Sequence, residues 1–131
     1  MDRQTDVTPP PCALFQHYLY EYSKGVRHLF MMTLSRPEAE MMQDRLDQAE
    51  VTFHLQDAGP RKVNLFFGRT ACVETVRTIA TKPLSHLTPQ EDFILGTLLG
   101  YDREQQCNRY LSMTRNGGRP AAQPWPDRAT A

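Results

Sequence analysis

The sequence has no excess charge of either sign, no long apolar run, no paired cysteine framework and a single tryptophan, and each absence removes a class of function. Fifteen basic residues balance fifteen acidic ones with histidines neutral, so the global attraction for a phosphate backbone that marks most nucleic-acid binders is missing. The strongest apolar stretch, Phe93 to Leu99, is broken by Gly96 and Thr97 and falls far short of the roughly 20 residues that span a bilayer; no membrane association is expected. Cys12, Cys72 and Cys107 are odd in number and widely spaced, which suits reduced thiols rather than disulfides. The first residues, Met1 to Asp6, carry no apolar segment of the secretory kind. Together these features lead to the expectation of a cytoplasmic protein.

At 131 residues the chain suits one domain. Three consecutive prolines mark residues 1 to 11, and Gly, Pro and polar residues fill 114 to 131 around Trp125. Both segments read as disordered tails flanking a fold at 12 to 113. Within the fold, Leu14, Phe15, Tyr18, Leu19 and Tyr22 recur at helical spacing before Gly25, predicting a helix over 12 to 24. The nearly continuous apolar run Val26 to Leu34 predicts the central strand. Ser35-Arg36-Pro37-Glu38 has the form of a capping box and starts a helix with Ala39, Met42, Leu46 and Ala49 inward. Val51, Phe53 and Leu55, then Val63, Leu65 and Phe67, alternate with polar residues about a turn at Asp57 to Arg61, predicting a hairpin. Three helices follow: one whose buried face holds Cys72 or Val73, Val76, Ile79 and Ala80, one started by Thr88-Pro89-Gln90-Glu91 and carrying Phe93, Ile94, Leu95, Leu98 and Leu99 as the most apolar of the three, and one capped by Asp102 with Cys107, Tyr110 and Leu111 on one side.

The order helix, strand, helix, strand, strand, helix, helix, helix predicts an α+β domain. Its three-stranded, mainly antiparallel sheet is an incomplete ferredoxin-like arrangement with the helices gathered on one face. Such a sheet has free edges, through which a homodimer is conceivable.

Chemistry concentrates on the turn from Gly68 to Cys72. Glycine permits close approach, Arg69 supplies charge, Thr70 is placed to cap the next helix, and free amides at its start could hold an anion. Ordinary strand-to-helix turns are built from the same residues, so that reading stands beside the first. Cys72 in the first helical turn could be activated by the dipole and Arg69, with Cys107 as a resolving thiol, or be an inert buried cysteine. His17, His28, His54 and His86 lack metal-site spacing. His28 and His54 fall in two strands that could be neighbours. Glu91, Asp92, Asp102 and Glu104 each fall in the first turn of a helix, where their charge offsets the dipole. No catalytic constellation, metal site or cofactor motif emerges.

Val63-Asn64-Leu65-Phe66-Phe67-Gly68, Cys72-Val73-Glu74, the run Leu87 to Asp102 and Gln106-Cys107-Asn108-Arg109-Tyr110 are similar to a family of small prokaryotic proteins, the domain of unknown function numbered two thousand and twenty-three. The resemblance covers about residues 14 to 111. It implies no activity, cofactor or catalytic residue, and it implies an association with flavodoxin, near which such proteins are encoded. The expectation is therefore a non-catalytic accessory or regulatory protein that binds another protein, with flavodoxin as a candidate partner. The alternative is a small-ligand-binding or thiol-dependent redox protein acting through Gly68, Arg69, Thr70 and Cys72.

Overall fold

The computed structural model describes residues 10–115. Tail expectations for 1 to 11 and 114 to 131, including Trp125, therefore lie outside the described residues except at their inner ends, which are helical. Helix α1 runs Pro10–Ser23, starting two residues before the expected position because proline's missing amide costs nothing in a first turn. The amides of Gly25 and Val26 return to the carbonyls of Tyr22 (3.0 Å) and Glu21 (2.9 Å), closing the helix with Gly25 at φ +73°.

Strand β1 is Leu29–Ser35 and leads directly into α2, Arg36–Gln48. The capping box forms in both directions: the Ser35 amide donates to Glu38 Oε1 (3.0 Å) and the Glu38 amide to Ser35 Oγ (3.3 Å). Ala39, Met42 and Leu46 are buried as the spacing requires, while Ala49 lies at the C-cap and is exposed. The closing turn has Glu50 at φ +58°, a conformation that disfavours a side chain. Strands β2, Thr52–Asp57, and β3, Lys62–Gly68, form the expected hairpin. Helix α3, Thr70–Ile79, a 3-10 turn at Leu84–His86, and helices α4, Pro89–Leu98, and α5, Arg103–Arg115, complete the chain.

The three-stranded antiparallel sheet has the order β1-β3-β2, the order of an incomplete ferredoxin-like sheet. The central strand is β3 rather than the run at Val26 to Leu34. That run is apolar because Phe30, Met32 and Leu34 are buried on one face and Leu29 on the other, and it is nevertheless an edge. Strand β3 buries Val63, Leu65 and Phe67 on one face and Asn64 and Phe66 on the other.

The helices do not gather on one face. A first cluster joins α1 and α2 (Phe15, Tyr18, Met42, Leu46) to Phe30, Met32, Leu65 and Phe67. A second joins α3 and α4 (Val73, Val76, Leu95) to Leu29 and Phe66. The sheet is thus the middle of three layers, and a register slip of one residue would exchange the two sets of side chains. The first cluster is aromatic at its centre: Phe67 meets Phe30 (centroids 5.2 Å) and Phe15 (5.4 Å). Burying each such ring contributes roughly 1.5–3 kcal/mol.

Two partly buried polar systems tie the layers together. Thr33 Oγ1 donates to Asn64 Oδ1 (2.7 Å), Asn64 Nδ2 to Gln56 Oε1 (3.0 Å), and Gln56 Nε2 to the carbonyls of Lys82 (2.7 Å) and Ala80 (3.2 Å). This row crosses all three strands and ends on the segment leaving α3. Arg27 links α1 to α4: its Nε donates to Glu21 Oε1 (3.0 Å) and its Nη1 to the Leu99 carbonyl (3.4 Å). Its guanidinium also lies 4.4 Å and 4.7 Å from the ring centres of Phe30 and Tyr18. No helix among the described residues is long and apolar enough to cross a membrane.

Candidate functional site

The turn singled out in the sequence is built for strand contact. Gly68 has φ +150°, and a Cβ there would collide with the His28 carbonyl oxygen and reach 3.0 Å from Leu29 Cα. The close approach that glycine permits is therefore with β1. Arg69 follows at the N-cap of α3, its amide donating to the same His28 carbonyl (2.9 Å) and its side chain exposed with no capping bond. Thr70 is not the cap: it is the first helical residue, and its hydroxyl meets that of Thr52 at 2.7 Å. Cys72 is half-buried against the second cluster, Cys107 is exposed on α5, Cys12 is half-buried on α1, and all three are free thiols. His28 and His54 are not on neighbouring strands, because His28 precedes β1 and β3 separates β1 from β2. Among the described residues no group of three or more His, Cys, Asp or Glu side chains could hold a metal ion.

The Thr70 hydroxyl leads to a cleft beside the turn. This open hollow of about 420 Å³ runs along β2 and is lined by Asp47, Val51, Thr52, Phe53, His54, Leu55 and Arg77. Why it exists follows from the hydrogen-bond pattern. The Ala58 amide donates to the Lys62 carbonyl (2.9 Å) where Asp57 faces Val63, which fixes the alternation: Thr52, His54 and Gln56 turn their backbone groups toward β3, and Phe53 and Leu55 turn theirs outward. No strand among the described residues covers that outer side. Its floor is half-buried, with Phe53 and Leu55 resting on the first cluster.

One outward group is occupied. Arg77 Nη2 donates to the Phe53 carbonyl (2.9 Å), while Nη1 lies 3.4 Å from His54 Nδ1 and Nε 3.4 Å from Glu74 Oε2. The His54 ring stacks on Phe66 (6.4 Å between centroids, 26° between planes). Burial first, and then the positive charge of Arg77, hold its imidazole below the ordinary histidine range, with Glu74 opposing. A neutral imidazole facing a guanidinium has no carboxylate to orient it as a general base. The geometry suits recognition: two apolar side chains, free backbone groups and an arginine that already bonds a carbonyl.

The last two helices start at the expected caps, but their buried sides also hold polar residues that an apolar pattern does not mark. In α4 the inward residues are Asp92, Leu95, Gly96 and, at the cap, Leu99, whereas Ile94 is exposed. In α5 they are Gln106 and Met113, whereas Cys107 and Leu111 are exposed. Asp92 is buried and its carboxylate receives Arg109 Nε at 2.8 and 3.1 Å, so it is an interhelical partner and not only a dipole charge. The Thr88–Glu91 capping box does form (2.9 and 3.2 Å), with Lys82 Nζ 2.8 Å from Glu91 Oε1. Asp102 caps α5 through the Gln105 amide (2.9 Å).

A family model described as a protein of unknown function, DUF2023, matches residues 13–113. No curated protein matches the chain. The chain belongs to the DUF2023 family.

Proposed function

We propose that this DUF2023 protein is a non-catalytic accessory protein that captures a partner protein by adding an extended segment of it to the outer edge of β2. The single observation that carries the reading is the cleft whose floor is an unpaired strand edge. Strand addition draws affinity from main-chain hydrogen bonds and specificity from alternate side chains. Here the outward amide of Phe53 and the outward amide and carbonyl of Leu55 supply the first, while Val51, Phe53 and Leu55 offer an apolar wall and Arg77 a cation for the second. The occupant is accordingly an extended segment that alternates apolar side chains with a carboxylate able to meet Arg77. Flavodoxin, the partner that the family resemblance suggests, is the protein to try first.

The test uses a backbone substitution. Leu55→Pro removes an outward amide that β3 does not use and is compatible with an edge strand. Titration of flavodoxin from the same organism into the full chain should show saturable binding that Leu55→Pro abolishes and Arg77→Ala weakens. Absence of binding removes flavodoxin as the partner, and binding that survives both substitutions removes the β2 edge as the site.

A further inference from the structure

The two edges of the sheet are protected very differently. Arg77 covers one outward carbonyl of β2, and β2 ends on Asp57, which pairs with Arg36 (2.9 Å). Strand β1 carries no charge, proline or bulge of the kind that keeps an edge from pairing. Its seven residues, Leu-Phe-Met-Met-Thr-Leu-Ser, contain no charge, proline or glycine. Its register with β3 runs from Leu29↔Gly68 to Ser35↔Lys62 without a bulge.

The Arg69 amide bonded to the His28 carbonyl fixes the alternation along β1. Phe30, Met32 and Leu34 turn their backbone groups toward β3, and Leu29, Met31, Thr33 and Ser35 turn theirs outward. Leu29 is fully buried and the Ser35 amide is held by Glu38 Oε1. The open part of the edge is thus Met31, half-buried, and Thr33, exposed. The Thr33 side chain is satisfied inside the chain by Asn64, so what it offers outward is its backbone.

We infer that β1 pairs antiparallel with β1 of a second copy of this chain about a two-fold axis at Met32, making one six-stranded sheet. In that register Met31 faces the partner's Thr33 and Thr33 faces the partner's Met31. Outward-facing residues then oppose each other, and the two pairs exchange four main-chain hydrogen bonds. A second copy suits this edge because the segment Phe30 to Ser35 is uncharged, so self-apposition sets no like charges together. The same operation on β2 would bring toward one another the two Arg77 side chains that lie over its outward Phe53 carbonyls. The pairing leaves the β2 cleft at the outer end of each half and is independent of what that cleft binds.

Light scattering on the full chain during size-exclusion chromatography tests this directly. Wild type, Thr33→Val and the opposite-edge variant Leu55→Pro should each give twice the 15.1 kDa chain mass. Thr33→Pro, which removes an outward amide that β3 does not use, should give the single chain mass with its circular dichroism retained. Should Thr33→Pro fail to fold, Met31→Lys, a charge on the same edge, should give the monomer. A monomeric wild type, or a dimer that persists in both Thr33→Pro and Met31→Lys, overturns the inference.

Discussion

Removing either partner of the Asp92–Arg109 pair should damage the α4–α5 hairpin unequally, and the inequality can be worked from burial. The Asp92 side chain is 3% exposed and that of Arg109 15%. Breaking a buried pair by deleting one member costs about 3–5 kcal/mol, because the other charge is stranded away from water. Arg109→Met strands the drier partner and should fall in that range, about a fifth or more of the 5–15 kcal/mol typical of a whole domain. Asp92→Asn leaves an arginine that still reaches solvent, and an amide that can accept one of its bonds, so roughly 1–3 kcal/mol is expected. The double variant Asp92→Asn with Arg109→Met should lose less than the sum of the two single changes, since it strands no charge. Urea unfolding followed by far-ultraviolet circular dichroism at pH 7 gives all the free energies. Hydrogen exchange should show the loss first in α5, which packs chiefly on α4. Single variants within about 0.5 kcal/mol of wild type, the level of an ordinary surface change, or a larger loss for Asp92→Asn, would refute the assignment of this pair as the buried tie between the helices.

Three further outcomes follow from local geometry. Glu50→Gly should raise stability by about 0.5–1 kcal/mol in the same urea assay, because Glu50 holds φ +58° at a position where glycine avoids the left-handed penalty. The depressed pKa of His54 means the unfolded chain binds more protons below the ordinary histidine value of 6.5. The stability it contributes is therefore complete above that pH and lost as pH falls from there through the lower folded value. Between pH 7.5 and 5.5 the urea midpoint of wild type should drop more steeply than that of His54→Gln, and parallel curves would contradict this. An excess of a small thiol reagent should modify Cys107 first, as it is exposed while Cys72 and Cys12 are half-buried; mass spectrometry of partly modified protein would show the reverse order if the α5 face is misassigned.

What could be read from the sequence was local. Ser35 with Glu38 and Thr88 with Glu91 announce their helices because the bonds close within three residues. Val63, Leu65 and Phe67 announce a strand because alternation needs only the strand itself. The central position of β3 was not legible, since the apolar run before Ser35 has the composition of a strand covered on both faces and covering does not distinguish edge from centre. Asp92 looked like a dipole charge because its partner Arg109 lies 17 residues away on another helix. The inward sides of α4 and α5 were only partly legible for the same reason, the apolar Ile94 and Leu111 facing out while Asp92 and Gln106 face in. The proposed site was not assembled from the sequence: free sheet edges and His54 were both noted, but Arg77 and His54 are 23 residues apart, and no residue pattern says which edge lies beside a cleft. The Gly68 to Cys72 turn drew attention through its glycine, whose requirement is met by the backbone of β1.

The most direct test of the proposed function is a nitrogen-15 amide spectrum of the full chain titrated with flavodoxin from the same organism. The account predicts shifts concentrated at Thr52 to Leu55 and Arg77, slowed exchange of the Phe53 and Leu55 amides, and no response from the Leu55→Pro variant. Shifts that group instead on the Gly68 to Cys72 turn or the exposed side of α5, with Phe53 and Leu55 unchanged, would contradict it.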